Sequence, residues 1–139
     1  MTETPERIVQ SYFEGVNGFR EGRDPFSRFA PDFLYTIIGT TPVSGTYRGA
    51  EELLLGVGPF LDRLTSLRIE PRETFVAGDH VFVLAKGEGE SQSGQPYHNQ
   101  YCYVFRLRNG SIVEVQEFLD TALVETAVFG KALVSDPEK

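Results

Sequence analysis

Acidic and basic side chains stand near the end of one strand-like segment and in the middle of another. Glu117 and Asp120 lie in the run VEVQEFLD, and Lys86 and Glu88 lie in the run LAKGEGE. A carboxylate placed among apolar residues has a raised pKa, because burial penalises its charged form. Such a group can hold a proton near neutral pH and act as a general acid or base. Glu117 is therefore the candidate catalytic residue, with Asp120 or Lys86 assisting.

The element that must position Glu117 is a hairpin from Tyr97 to Asp120. Its turn is Asn109-Gly110, the dipeptide that most strongly favours a two-residue turn with two positive φ angles. With that turn, Arg108 pairs with Ser111 and Cys102 with Glu117, unless a bulge or a longer loop shifts the register. Alternation then predicts two faces. The aliphatic face surrounds Glu117 with Cys102, Val104, Val113, Val115 and Leu119; the mixed face holds Tyr101, Tyr103, Phe105, Ile112, Glu114, Gln116, Phe118 and Asp120.

The rest of the chain shows helical periodicity first and strand-like periodicity later. We expect a helix that begins at Thr4-Pro5 and a strand hairpin around residues 77–80. Gly15 and Gly18 permit close helix packing, whereas Gly87 and Gly89 suggest bulges. The order predicts one α+β domain, residues 1–139, with helices packed on a strongly curved antiparallel sheet. Further expected elements are a short helix at 26–29, a strand at 32–39, a helix at 50–64 that is kinked or broken at Gly56, Gly58 and Pro59, strands at 67–76 and 81–90, and a helix or edge strand at 121–129.

Composition bounds the classes of partner. The net charge is −7, from 13 basic and 20 acidic residues, which disfavours a nucleic-acid or anionic-membrane surface. No apolar stretch approaches membrane-spanning length, and the N-terminus has no signal-peptide pattern. A lone cysteine, Cys102, fits a reducing cytoplasm. His80 and His98 lack metal-ligand spacing, so we expect no metal site.

The segments FAPDFLYTIIGTTPVSGTYRG and NQYCYVFRLRNGSIVEVQEFLDTALV, together with the order of elements, resemble the nuclear transport factor 2-like superfamily. Within it, the chain is similar to the SnoaL-like branch, in which an apolar hairpin ends in an acidic-aromatic-Asp motif. The resemblance covers nearly the whole chain. It implies a conical α+β barrel, an open apolar pocket, an apolar small-molecule ligand, no cofactor, and homodimers packed through the sheet.

Ketosteroid isomerases belong to the same superfamily. By resemblance their general base would fall near Thr36, Ile37 and Ile38, where this chain has no carboxylate. Their protonated acid would fall at Cys102 or Tyr103. Since two of three groups are absent, that route is not expected, although Tyr12 lies within a turn of the family's tyrosine.

Two other activities fit the resemblance in part. Limonene-epoxide hydrolases use an Asp–Arg–Asp set, and Glu117 matches its acidic residue in the last strand. Lys86 and Glu88 stand near the places of the arginine and the other acid, but lysine lacks the rigid guanidinium fork. SnoaL-type polyketide cyclases need a single acid for proton transfer at an acidic C–H, and Glu117 or Asp120 could fill that role.

Each candidate also has a structural interpretation. Glu117 can pair with Lys86, Arg106 or a hydroxyl, and Asp120 can cap the following turn. Tyrosines and Cys102 are commonly core residues. Three hypotheses remain: an enzyme, a non-catalytic binder, and a structural dimer with a filled interior. A cavity at the Glu117 carboxylate would favour the first two, and its expected lining is Tyr12, Tyr35, Glu88, Gln100 and Cys102.

Overall fold

In a computed structural model that describes residues 3–136, three helices pack on one six-stranded sheet. The α+β class predicted from the sequence is confirmed. The elements are α1 (Pro5–Asn17), a 3₁₀ turn (Phe19–Glu21), β1 (Phe29–Ile37), β2 (Gly45–Arg48), α2 (Gly49–Leu61), β3 (Leu64–Ala77), β4 (His80–Ser91), β5 (Pro96–Arg108), β6 (Ser111–Leu119) and α3 (Thr121–Leu123), which continues as a π-helical turn (Val124–Val128).

The strands lie in the order β2-β1-β6-β5-β4-β3, so the sheet is not closed and β2 and β3 are its edges. All neighbours are antiparallel except β1 and β6, which run parallel. This corrects the expectation of a purely antiparallel sheet. The two strands are far apart in sequence, and the chain between them, which contains α2 and the strands β2 to β5, supplies the long connection that a parallel pair requires.

Helix α1 begins where the sequence predicts. The Thr4 hydroxyl accepts a hydrogen bond from the backbone N–H of Arg7 at 3.2 Å, and Pro5 opens the first turn. The buried face of α1 packs Ile8, Val9, Tyr12 and Phe13 into the main core. Gly15 permits close contact with residue 25, because a Cβ at Gly15 would lie 2.2 Å from the Pro25 Cα.

The short helix predicted at 26–29 was wrong, and the helix predicted at 50–64 is not broken. Residues 26–28 form turns instead of a helix, and β1 starts at Phe29. Helix α2 is continuous through Gly56 and Gly58, with Pro59 inside its last turn. Gly56 allows α2 to lie directly on the ring of Tyr47, since a Cβ there would be 2.1 Å from the ring. A proline near the end of a helix removes one hydrogen bond without breaking the element.

The predicted turn of the β5–β6 hairpin is confirmed, but its register is not. Asn109 and Gly110 have φ angles of 52° and 79°, and Arg108 pairs with Ser111. Leu107 pairs with Ile112, yet Arg106 pairs with Glu114, so Val113 is an extra residue in a bulge. Beyond the bulge every pairing shifts by one. The sequence of the bulge contains no glycine that would have marked it.

The shift changes the residues that share a face with Glu117. Tyr103 lies opposite Glu117, and Cys102 lies opposite Phe118. The inner face of the hairpin, which packs against the helices, holds Tyr101, Tyr103, Phe105, Ile112, Val115, Glu117 and Leu119. The expectation of a purely aliphatic surrounding for Glu117 was therefore wrong, because tyrosines occupy those positions.

The expected bulges at Gly87 and Gly89 are also absent from the β4–β5 pairing. Residues 80–90 of β4 pair with β5 without interruption, and the irregular register lies in the β3–β4 pair, at residues 64–66 and 71–73 of β3. Gly87 has another role in packing. A Cβ at Gly87 would lie 2.6 Å from the Tyr101 ring, so the glycine makes room for that ring.

Candidate functional site

A cavity of about 380 Å³ lies between the inner face of the sheet and the three helices. Its lining includes exposed residues of the 3₁₀ turn and of the start of β3. Arg20 ties these two segments together by donating hydrogen bonds to the backbone carbonyls of Thr65 and Leu64 at 2.7 and 2.8 Å. The deeper wall contains both apolar and tyrosine side chains, among them Tyr12, Tyr35, Ile37, Leu53, Val57, Phe60, Tyr101, Tyr103, Glu117 and Leu119.

Glu117 places its carboxylate on this wall. The residue is half-buried, and its Oε1 accepts a hydrogen bond of 2.5 Å from the Tyr35 hydroxyl. Tyr35 is in turn 2.8 Å from the hydroxyl of Tyr12. Burial raises the pKa of Glu117 to about 7, and the hydrogen bond from Tyr35 opposes part of that rise. Glu117 therefore exchanges a proton near neutral pH.

The hydrogen bonds define how the protons are arranged when Glu117 is ionised. Tyr35 donates to Glu117, so the Tyr35 oxygen accepts from Tyr12. Burial and the nearby carboxylate raise the pKa of both phenols, so both remain neutral donors. No hydrogen bond within residues 3–136 involves Oε2 of Glu117. That oxygen is free to take a proton from a molecule in the cavity.

A second group of hydrogen bonds lies along β5. The amide of Asn99, which is 1% exposed, donates to the Tyr97 hydroxyl at 2.9 Å. Tyr97 is 2.8 Å from the hydroxyl of Tyr101. Asn99 also bonds both the N–H and the carbonyl of Asp120 at 3.0 Å, which joins β5 to the end of β6. The network fixes the end of the hairpin beside the cavity.

Tyr103 differs from the other buried tyrosines. It is fully buried and lines the cavity, and its ring stacks on that of Tyr101 with the centroids 5.5 Å apart and the planes at 15°. Among the described residues, its hydroxyl is the buried side-chain polar atom without a hydrogen-bond partner. A buried hydroxyl without a partner is energetically costly and calls for an explanation.

Two of the predicted binding residues, Tyr12 and Tyr35, line the cavity beside Glu117. The other candidates lie elsewhere. Lys86 pairs with Gln100 and Glu88 with His98 on the outer face of the sheet, where Cys102 also lies. Since Ala85 and Gly87 of β4 point inward, the residues that alternate with them cannot reach Glu117.

Asp120 does not line the cavity. Its side chain accepts a hydrogen bond from the backbone N–H of Leu123 at 3.2 Å and so caps α3, which is the structural interpretation of this residue. Arg106, a possible partner of Glu117 in the sequence, pairs instead with Glu114 at 3.3 Å. The hydroxyl of Tyr35 is the partner that Glu117 has.

The sequence interpretation missed Tyr101 and Tyr103 as members of the site. The available signal was the period-two spacing of Tyr97, Asn99, Tyr101 and Tyr103, which places all four on one strand face. Because nothing in the sequence marks the bulge at Val113, the predicted register placed these tyrosines on the face opposite to that of Glu117. The alternation of side chains along β5 predicts that these tyrosines share a face, but it does not predict that they lie near the Glu117 carboxylate.

Neither a metal-binding cluster nor a membrane-spanning helix occurs among the described residues. Within residues 3–136, no group of three or more His, Cys, Asp or Glu side chains is arranged to hold a metal ion. In the same range, no helix has both the length and the apolar character needed to cross a membrane.

Comparison with known proteins places this geometry in context. The family model of the SnoaL-like domain matches residues 9–115. No curated protein sequence matches the chain at a significant level. An NTF2-like protein from Burkholderia thailandensis has 26% identity, with a TM-score of 0.78 over 91% of this chain and 98% of that one.

Two further solved structures share the fold. A proposed SnoaL-like polyketide cyclase from Jannaschia is 22% identical, with a TM-score of 0.68 over 95% of this chain and 99% of that chain. A protein from Catenulispora acidiphila with a ketosteroid isomerase-like fold was solved with trimethylamine bound. It is 21% identical, with a TM-score of 0.68 over 91% of this chain and 95% of that chain.

Proposed function

We propose, from the premise that this chain belongs to the SnoaL-like domain family, that it is a cofactor-independent enzyme acting on an apolar small molecule. In this proposal Glu117 transfers a proton to or from the ligand in the cavity. The observation that supports it best is a half-buried carboxylate with a pKa of about 7 on the wall of a 380 Å³ cavity. A group with that pKa is present as both acid and base at neutral pH, which is the optimum for proton transfer.

The proposed step is proton abstraction from an acidic C–H by Oε2 of Glu117. The electron pair of the broken C–H bond stays on the substrate as an enolate or a related anion. Glu117 then returns the proton, either to a different carbon in an isomerisation or to the oxygen formed by C–C bond closure in a cyclisation. In a hydrolysis the same carboxylate would take a proton from water as the water oxygen bonds the electrophilic carbon, and would return that proton to the leaving oxygen as its bond to this carbon breaks. Tyr35 and Tyr12 stabilise the ionised form of Glu117 during this cycle.

The test is hydrogen exchange at an acidic C–H of a bicyclic ketone, 2-tetralone, followed by NMR in D₂O. We expect the wild-type protein to accelerate exchange and Glu117→Gln to lose about 100-fold or more of that acceleration. Glu114→Gln is the matched control, because Glu114 is on the same strand but on the outer face, paired with Arg106. Equal exchange rates for the wild type and Glu117→Gln would refute the proposal.

A non-catalytic binder is the second candidate. A cavity with several tyrosine rings and one carboxylate can hold an ammonium group through cation–π and charge interactions. A protein of the same fold was solved with trimethylamine bound, which favours this candidate. Binding of trimethylamine that depends on Glu117, without any catalysed exchange, would support the binder over the enzyme.

We also propose that two copies of the chain associate through the outer face of the sheet. The pairing aligns Phe75, Phe82 and Val104 in one row and Leu84, Cys102 and Phe118 in the next. We call these six residues the outer apolar patch. Phe75 is 55% exposed, Leu84 41% and Phe118 39%, although large apolar side chains are normally covered.

A second copy is the occupant that this patch fits, because a central apolar area with a polar rim of Lys86, Gln100 and Gln116 is self-complementary about a two-fold axis. Cys102 would place a free thiol inside that interface, and a reducing cytoplasm would keep two such thiols from forming a disulfide.

Analytical ultracentrifugation should show a dimer that Phe118→Asp dissociates. Leu133→Asp, at a residue 74% exposed and outside the patch, should leave it intact. A monomeric wild type would contradict this part.

A further inference from the structure

The exposed residues that line the cavity belong to two short segments. They are Phe19, Arg20 and Glu21 of the 3₁₀ turn and Thr65 and Ser66 at the start of β3, whereas the remaining lining residues are buried or half-buried. The cavity therefore opens to solvent between these two segments. Arg20 is the basic residue among those that line the cavity, so a ligand group left at the opening lies beside a positive charge.

The guanidinium of Arg20 is held in place by backbone atoms of β3. Its Nη1 donates to the Thr65 carbonyl at 2.7 Å, and its Nη2 donates to the Leu64 carbonyl at 2.8 Å. The end of α1 is joined to the same strand by Asn17, whose side chain bonds both the N–H and the carbonyl of Ile69 at 2.8 Å. These hydrogen bonds fix the 3₁₀ turn against β3, so the guanidinium has a defined position before a ligand binds.

Arg20 retains unused donors and an uncompensated charge. A guanidinium has five N–H donors, and the bonds to β3 use two of them, so three remain. Within residues 3–136 no carboxylate forms an ion pair with Arg20, whereas Arg7, Arg28 and Arg106 each pair with a glutamate. Since the carbonyls that Arg20 bonds carry no net charge, its own charge is available to an anionic group of a ligand.

The acidic residue next to Arg20 narrows the class of anion. Glu21 also lines the opening, and its negative charge disfavours a dianion such as a phosphate monoester. A carboxylate carries one charge, and its two oxygens can accept from two of the remaining guanidinium donors. A monoanionic carboxylate is therefore the group that this opening fits best.

We propose that Arg20 binds the carboxylate of an aromatic or alicyclic acid at the opening of the cavity, while the apolar body of that acid fills the interior. The interior suits such a body, because Ile37, Phe60 and Leu119 are among its apolar lining residues. With the carboxylate at the opening, the ring system extends into the cavity whose wall carries Glu117. This inference deepens the proposed function, and it rests on that function only in treating the bound acid as the substrate.

Binding of 2-naphthoate, compared with 2-acetonaphthone, tests the site by isothermal calorimetry. The two probes have the same rings and nearly the same shape, and 2-naphthoate alone is charged at neutral pH. We expect Arg20→Gln to weaken the binding of 2-naphthoate about fivefold at low salt, with little change for 2-acetonaphthone. Added salt should reduce the Arg20-dependent part, because the Debye length falls from about 30 Å at 0.01 M to about 3 Å at 1 M.

Arg63→Gln is the matched control. Arg63 is also exposed and donates to a backbone carbonyl, that of Pro59 at 2.7 Å, but it is not among the residues that line the cavity. This variant should bind both probes as the wild type does.

Two further variants separate the charge of Arg20 from its role in holding β3. Arg20→Lys keeps the charge without the guanidinium fork, so it should bind 2-naphthoate more tightly than Arg20→Gln does. Glu21→Gln leaves the Arg20 hydrogen bonds intact and removes a negative charge from the opening, so it should strengthen 2-naphthoate about twofold and leave 2-acetonaphthone unchanged. Equal weakening of both probes in Arg20→Gln would mean that Arg20 only holds β3 in place, and this result would refute the acid site.

Failure of this inference is distinguishable from failure of the proposed function. Glu117→Gln should retain the Arg20-dependent binding of 2-naphthoate even as it loses catalysed exchange of 2-tetralone. The acid site is refuted if the wild type binds 2-acetonaphthone alone or neither probe, or if Arg20→Gln keeps the full affinity for 2-naphthoate. Tighter binding of 2-naphthyl phosphate than of 2-naphthoate would contradict the choice of a carboxylate. Unchanged exchange in Glu117→Gln refutes the proton-transfer proposal and leaves the acid site standing.

Discussion

The inner and outer faces of the β4–β6 strands use alternate residues of the same segments and differ in what those residues can do. On the inner face, Tyr101, Tyr103 and Glu117 meet around a cavity, where the two rings stack and the Glu117 carboxylate accepts a short hydrogen bond from Tyr35. On the outer face, Lys86 and Gln100 are exposed. Residues whose type would allow catalysis occur on both faces. Burial raises the pKa of a carboxyl group and excludes competing water only on the inner face, where Glu117 lies.

A one-residue bulge decides which side chains form the site. Val113 is the residue that moves Glu117 from a pairing with Cys102 to a pairing with Tyr103. Because side chains alternate with a period of two, a shift of one residue exchanges the two faces of a strand completely. Variants that exchange the two faces, or that alter residues of one face alone, therefore test which side chains point toward the cavity.

Insertion of one alanine after Val113 should have the largest effect. With a second extra residue, β6 would have to present Glu114, Gln116 and Phe118 to the core in place of Val115, Glu117 and Leu119, or enlarge the bulge. Two polar side chains in the core would exceed the 5–15 kcal/mol by which a typical domain is stable, once the loss of apolar packing is added. We expect no cooperative unfolding transition by circular dichroism.

Val113→Ala is the control for that insertion. It keeps the backbone length and the bulge, and Val113 is only half-buried, so the variant should fold with a loss of about 1 kcal/mol. An insertion variant that melts like Val113→Ala would mean that the bulge does not set the register.

A neighbouring pair of substitutions compares the two faces at one point of β5. Phe105 is fully buried on the inner face, and the adjacent Val104 is half-buried on the outer face. Phe105→Ala should lower the free energy of unfolding by about 3–5 kcal/mol, whereas Val104→Ala should lower it by about 1 kcal/mol or less in the monomer. Urea unfolding measures both, and equal losses would contradict the assignment of faces.

Local patterns predicted the elements well, and long-range geometry accounts for what they missed. The Asn109-Gly110 turn, the Thr4-Pro5 helix start and the α+β class follow from residues that act within a few positions of each other. The parallel β1–β6 pairing and the packing roles of Gly56 and Gly87 depend on segments that are distant in sequence, so no local pattern reports them.

The site was predicted in part for the same reason. Glu117, Tyr12 and Tyr35 were identified from residue type and position, and the structure places all three together. Cys102, and with it Gln100 on the same strand face, was placed beside Glu117 through a register that assumed no bulge, whereas Lys86 and Glu88 were assigned from the resemblance to limonene-epoxide hydrolases. The energetic preference for the observed register comes from burying Tyr101, Tyr103 and Phe105, which only the assembled core reveals.

The pH dependence of stability tests the burial of Glu117. Its pKa in the folded protein is about 7 and that in the unfolded chain is near the ordinary value of 4.5, so the unfolded chain loses its proton first as pH rises. The stabilisation is complete below about pH 4.5 and is lost progressively up to about pH 7. The loss amounts to about 3 kcal/mol, from 1.36 kcal/mol per pKa unit.

Glu117→Gln should remove this dependence, because an amide does not titrate. The difference in unfolding free energy between Glu117→Gln and the wild type should therefore grow by about 3 kcal/mol in favour of the variant from about pH 4.5 to pH 8. Glu114→Gln, on the outer face, should show no comparable change relative to the wild type. A constant difference for Glu117→Gln across this range would mean that its carboxylate is solvated.

Lys86→Ala should have the smallest effect. An unchanged stability and an unchanged exchange rate would support the placement of Lys86 on the outer face. Lys86 is exposed, lies opposite Gln100 and forms no ion pair among the described residues, so its removal should change the unfolding free energy by less than about 0.5 kcal/mol. Exchange of 2-tetralone should be unchanged as well, since Ala85 and Gly87, not Lys86, face the cavity side of β4. Lys86→Met retains the side-chain length without the charge and serves as the matched variant. If both substitutions slowed exchange while stability stayed constant, the ammonium group would act on the reaction from the outer face. The assignment of the reaction to the inner face alone would then be wrong.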